Sequence, residues 1–109
     1  MANIPRKHDS TSILKDIAKA GFFFSETIRN NPPATESEEA QDYVVDRLFG
    51  GLWWGYAQIS PHLNQKAKDN YEDLIRSLYV NYEGTLEAAE SFFKNMYLNP
   101  GHFIRVELS

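Results

Sequence analysis

From residue 11 onward the apolar positions recur at three- and four-residue steps in four successive stretches. In the first, Ile13, Leu14, Ile17, Ala20, Gly21, Phe24 and Ile28 share one helical arc, with Ser10-Thr11-Ser12 offering N-caps. Pro32-Pro33 cannot continue that helix, which is expected over 11–30. A second stretch, capped by Thr35 or Ser37, carries Val44, Val45, Leu48, Phe49, Leu52, Trp53, Tyr56 and Ile59 on a broad arc and predicts a helix over 36–59. Ser60-Pro61 supplies a cap and an N1 proline for a third helix over 61–83. Its inward set is Leu63, Ala67, Tyr71, Leu74, Ile75, Leu78 and Tyr82, with Gly84 closing it. Thr85 then caps a fourth over 86–98, which turns Leu86, Ala89, Phe92, Phe93, Met96 and Tyr97 inward.

After the Asn99-Pro100-Gly101 turn the residues Ile104, Val106 and Leu108 alternate with Arg105 and Glu107, as in a short strand. One strand has no partner in a helical protein. The tail over 102–109 is therefore expected to be extended, either packed on the bundle or pairing with another chain. Short loops favour antiparallel neighbours, so the expected fold is all-α: a four-helix antiparallel bundle. It forms a single helical domain over 1–109, with a flexible N-terminal tail over 1–9.

Within the second helix the run FGGLWWGYAQ, residues 49–58, places three glycines beside two tryptophans. Each glycine costs about 1 kcal/mol against alanine in a helix interior, so three need a packing reason. The apolar arc continues through them, which argues for one helix. Gly51 and Gly55 lie four apart on one flank, where missing side chains let a neighbouring helix approach.

At 109 residues, 42% apolar and 14% aromatic, the chain has enough material for one packed core without staples. It contains no cysteine, which excludes disulfides, thiol catalysis and cysteine-ligated metals. No signal-peptide core and no membrane-spanning run is visible, so a soluble, cytoplasmic protein is expected, with no membrane contact. The net charge of −4 is unevenly spread: residues 36–46 hold Glu36, Glu38, Glu39, Asp42 and Asp46 and no base. That balance argues against direct nucleic-acid binding and suits a basic protein partner.

Candidate chemistry is sparse. His8, His62 and His102 have no carboxylate or second histidine at ligand spacing, so no metal site and no cofactor is expected. No serine stands in recognisable relation to a histidine, and the glycines lack the lysine and context of a phosphate-binding loop. The paired acids Glu39 and Asp42 on one helix and Asp69, Glu72 and Asp73 on another are the ingredients of a Mg²⁺-dependent nucleotide hydrolase. In that class the carboxylates face the bundle interior, whereas here they lie largely opposite the apolar arcs.

What remains is a surplus of aromatic residues. Trp54 points about 180° from the centre of its core arc, Phe22 and Phe23 flank theirs, and Tyr79 flanks the third. Trp54, Phe22, Phe23 and Tyr79 are the expected anchors of a protein-binding patch, with Glu36, Glu38, Glu39, Asp42 and Asp46 steering the partner. In size, acidity and helical content the chain is similar to toxin-immunity proteins. The resemblance implies a protein that occludes a basic partner, such as a nuclease toxin, without chemistry or catalytic residues of its own. A structural or regulatory homodimer that buries the same patch is the other binding expectation.

Overall fold

A computed structural model describes residues 9–31 and 38–105, and the side chain of every one of these but Glu38. The expected N-terminal tail through residue 8, the caps Thr35 and Ser37, Glu36, and residues 106–109 lie outside the described residues.

The fold is all-α. Four helices follow one another: α1 (Ser10–Asn30), α2 (Glu38–Ile59), α3 (Gln65–Ser77) and α4 (Tyr82–Leu98), with short 3-10 turns at Ser60–His62 and Pro100–His102. The cap of α1 is Asp9, one residue ahead of the expected serines; its carboxylate accepts the Ser12 N–H at 2.8 Å. A cap of this kind stabilises a helix by about 1 kcal/mol.

Two boundaries differ from those the apolar pattern suggests, and asparagine side chains decide both. Ser60-Pro61 opens the 3-10 turn, while Asn64 caps α3 by accepting the Ala67 N–H at 2.8 Å. At the other end α3 stops at Ser77, and Asn81 caps α4 by accepting the Gly84 N–H at 3.2 Å. Gly84 and Thr85 thus lie in the first turn of α4 and do not separate the two helices. A short amide at Ncap satisfies free helix amides that periodicity cannot see.

Leu63, expected on α3, is buried ahead of it. It forms an antiparallel bridge with Ile104, flanked by hydrogen bonds from Asn64 N–H to the Phe103 carbonyl (2.8 Å) and from Arg105 N–H to the His62 carbonyl (2.7 Å). The start of the tail therefore finds its partner inside the chain, and no strand forms among the described residues.

Neighbouring helices run antiparallel around the bundle. Phe24 meets Gly51 and Ile17 meets Gly55 between α1 and α2. Tyr56 meets Glu72 between α2 and α3, and Tyr79, just past α3, reaches back to Asp46. Tyr71 packs on Phe93, and the Thr85 hydroxyl donates to the Ser77 carbonyl, between α3 and α4. The circle closes at the α1–α4 interface, where Gly21 meets Phe93 and Arg29 Nε lies 2.8 Å from Glu90 Oε1. Leu14, Leu48, Leu52, Ile75, Phe93 and Met96 fill the core around the buried ring of Tyr71.

The helix α2 runs unbroken through FGGLWWGYAQ. A Cβ on Gly51 would stand 2.9 Å from the Phe24 ring, and one on Gly55 would stand 2.8 Å from the Tyr71 hydroxyl. Both glycines admit neighbours, as their shared flank implies. Gly50 meets nothing within 4 Å. On α1, a Cβ at Gly21 would sit 2.7 Å from the fully buried Phe93 ring.

These environments give opposite signs to one substitution. Gly50→Ala is expected to raise stability by about 0.5–1 kcal/mol, because only the helix preference changes. Gly21→Ala is expected to lower it, since overpacking a fixed ring costs about 1–3 kcal/mol and outweighs that gain. Thermal unfolding of the two variants beside the wild type checks both signs.

Candidate protein-binding surface

The stripe Asp42, Asp46, Phe49, Trp53 and Tyr56 descends one face of α2 at steps of four, three, four and three residues. The lower part of that stripe is a row of touching rings. Tyr79 packs on Phe49 at 5.6 Å between centroids, Phe49 on Trp53 at 6.1 Å and Trp53 on Tyr56 at 5.6 Å. Tyr56 in turn meets Tyr71 at 5.1 Å, so the row is rooted in the core. Its surface members are open to solvent: Trp53 is 42% and Tyr79 56% exposed.

Acids stand at both ends of this ridge. At one end Tyr79 donates a short hydrogen bond to Asp46, and Asp42 adds its negative charge. At the other, the Tyr56 hydroxyl donates to Glu72 Oε2 at 2.5 Å with Asp69 nearby. On the same helix Arg76 is taken up by Asp73 at 2.6 Å and Glu72 at 3.5 Å. These contacts perturb the phenols. Burial, reinforced by Glu72, pushes Tyr56 up to about 12, and the hydrogen bond to Asp46 raises Tyr79.

The four aromatic anchors expected from the sequence do not form one patch. Tyr79 belongs to the ridge just described. Trp54 is 60% exposed on the other side of α2, where it walls a groove of about 240 Å³ between α1 and α2 over Gly51 and Gly55. Phe22 is half-buried in a separate groove between α1 and α4, and Phe23 is 60% exposed on the outer face of α1. Trp53, which the pattern turned inward, is instead the ridge's largest exposed ring. Tyr97, also expected inward, is 42% exposed. Of the acids, Glu39, Asp42 and Asp46 are exposed on α2, and Glu38 opens that helix.

The carboxylates Glu39, Asp42, Asp69, Glu72 and Asp73 do not converge. Tyr56 marks where Glu72 meets α2, fourteen residues beyond Asp42, or roughly 21 Å along the helix at about 1.5 Å per residue. Among the described residues no group of three or more His, Asp or Glu is placed to hold a metal ion. The fold does bring Ser10 Oγ to 2.9 Å from His62 Nδ1, a pairing across 52 residues that no local spacing announces. It ties the start of α1 to the turn after α2. No helix among the described residues is long and apolar enough to cross a membrane.

Comparison of the chain with protein-family models, with curated proteins and with solved structures finds no significant match.

The phenol–carboxylate pairs give the ridge an alkaline limit. A phenol whose folded pKa is raised contributes stability that is complete below its unfolded value of about 10 and is lost as pH rises through the folded value. For Tyr56 the window is therefore pH ~10 to about 12. Melting temperature is expected to fall more steeply across that window in the wild type than in Tyr56→Phe, with tyrosinate absorbance following the ionisation.

Proposed function

We propose that this chain is a protein-binding protein that masks a basic partner by occlusion, as an immunity protein neutralises a nuclease toxin, and that it carries no catalytic chemistry itself. The observation that supports this reading is the row in which the exposed rings of Trp53 and Tyr79 flank half-buried Phe49, held between Asp42 and Asp46 at one end and Asp69 and Glu72 at the other.

The two components have different work. Exposed carboxylates steer a cationic partner and raise its association rate, an effect that salt screens within about 8–10 Å. Aromatic rings supply the desolvated contact that holds the complex once formed, and they are the residue types over-represented among binding hot spots. Arginine is the side chain that uses both, stacking on an indole or phenol while bonding a carboxylate. The rings are held by one another and by hydrogen bonds to acids, so little side-chain freedom is lost on binding. In this reading Glu39 and the other acids of α2 extend the steering field, and Trp53 takes the anchoring role expected of Trp54 from its position opposite the apolar arc.

The test begins with capture from the host's own lysate by wild type, Trp53→Ala, and the triple variant Asp42→Asn, Asp46→Asn, Glu72→Gln. The captured protein is then purified and titrated. The expected partner is basic, loses activity on binding, and binds more weakly as salt rises. Trp53→Ala should slow nothing but release faster, weakening affinity by ten-fold or more, about 1.4 kcal/mol. The triple variant should associate more slowly. A partner bound equally by all three folded proteins, or a mass near twice 12.5 kDa that buries Trp53 between two copies, would remove the masking reading.

A further inference from the structure

On the side of the bundle away from the acidic ridge, α1 and α4 enclose a groove of about 370 Å³ lined by Ala18, Lys19, Phe22, Lys94, Tyr97 and Leu98. Its floor is apolar and its rim is cationic. Lys19 and Lys94 line it from opposite helices, and the Lys15 ammonium stands 5.5 Å over the Tyr97 ring. Lys15 and Lys19 are one turn apart on the same face of α1. Acids stand near these lysines too: Asp16 adjoins Lys15 and lies three residues before Lys19, and Glu26 and Glu90 lie a turn from Phe22 and Lys94. Glu90 is already engaged by Arg29. Leu98, at the open side, is 60% exposed.

Three ammonium groups around an apolar floor is an unexpected concentration in a chain of net charge −4. The lysine stems also extend the apolar wall while their heads reach solvent. A volume of this size falls within the ~300–1,000 Å³ of ordinary ligand sites, and the groove is too narrow in polar groups to recognise a sugar or nucleotide. We propose that the α1–α4 groove binds a monomeric single-chain amphipathic anion, an acyl carboxylate, with its chain over Phe22, Ala18 and Leu98 and its carboxylate among Lys15, Lys19 and Lys94. Charge complementarity selects the head group, and the apolar floor selects the tail. The site is on different helices' faces from the aromatic ridge and does not rest on the masking function.

The probes are octanoate and decanoate below their micellar concentrations, with decanol and decyltrimethylammonium as head-group controls. Binding is read from amide and side-chain NMR shifts of the intact chain. Decanoate is expected to shift Ala18, Phe22, Tyr97 and Leu98 saturably and to leave Trp53 and Tyr79 unmoved. Affinity should rise roughly four-fold per added methylene. Decanol should bind about ten-fold more weakly, since three exposed charge contacts are lost, and the cationic amphiphile more weakly still. Lys19→Gln with Lys94→Gln should bring decanoate most of the way down to the level of decanol, Lys15 being the one contact left, while the melting temperature stays near that of the wild type. Because both lysines are exposed, this variant isolates the head-group contact from folding. Equal binding of decanoate and decanol, an unchanged double variant, or association with anionic vesicles without any response to free decanoate would each overturn the proposal.

Discussion

Three glycines decide how close the helices come, and the remaining contacts follow from that spacing. Gly21 leaves room for the Phe93 ring, Gly51 for Phe24, and Gly55 for Ile17 and the Tyr71 hydroxyl. In each case a Cβ would press on an aromatic or branched side chain, and the ring fills the volume the glycine lacks. Tyr71 is the pivot of this arrangement. Its ring lies between Phe92 and Phe93 of α4 on one side and Tyr56 of α2 on the other, and burial raises its phenol far above the usual range. From there the rings run outward through Tyr56, Trp53 and Phe49 to Tyr79. The surface ridge is thus the outer end of the core, and its geometry is inherited from helix spacing set by residues that have no side chain.

Much of the architecture was legible in the sequence because four amphipathic arcs each specify a helix and short loops specify antiparallel neighbours. The close-packed flank of α2 was legible too, since Gly51 and Gly55 stand four apart. The helix ends were less so. Periodicity reports which face is apolar, whereas Asp9, Asn64 and Asn81 end helices by offering a side-chain oxygen to free amides. A polar residue just outside an apolar pattern is silent to that pattern. The pairing of Leu63 with Ile104 and of Ser10 with His62 depends on residues about forty to fifty positions apart, which no local window contains.

The surface was half legible for a related reason. The acids of α2 were visible as a charge run, but which tryptophan they surround was not. Trp53 and Trp54 differ by about 100° around one helix, and the exposed sector depends on where α3 and α1 dock. With α3 seated beside Tyr56, Trp53 becomes the rim of the α2–α3 face. With α1 seated over Gly51 and Gly55, Trp54 becomes the wall of a different groove. A helix viewed alone defines an apolar centre well and its edges poorly, and both tryptophans are edge residues.

Net charge does not describe the two exposed apolar surfaces one by one. Glu39, Asp42, Asp46, Asp69 and Glu72 stand on α2 and α3, the helices of the ridge, while Lys15, Lys19 and Lys94 surround the groove between α1 and α4, two helices that also carry Asp16, Glu26, Glu83, Glu87 and Glu90. At physiological salt a charge is felt over about 8 Å, less than the width of a helix with its side chains, about 10–12 Å. The two faces therefore act on solutes as separate fields, each read by whatever approaches it, and the overall −4 describes neither. Each field also overlies exposed apolar surface, aromatic on the acidic side and mixed aliphatic and aromatic on the basic side. Hydrophobic contact without charge would be indiscriminate, and charge without contact would be weak at this ionic strength. Their coincidence on both faces is why both binding proposals pair a charge contact with an apolar one.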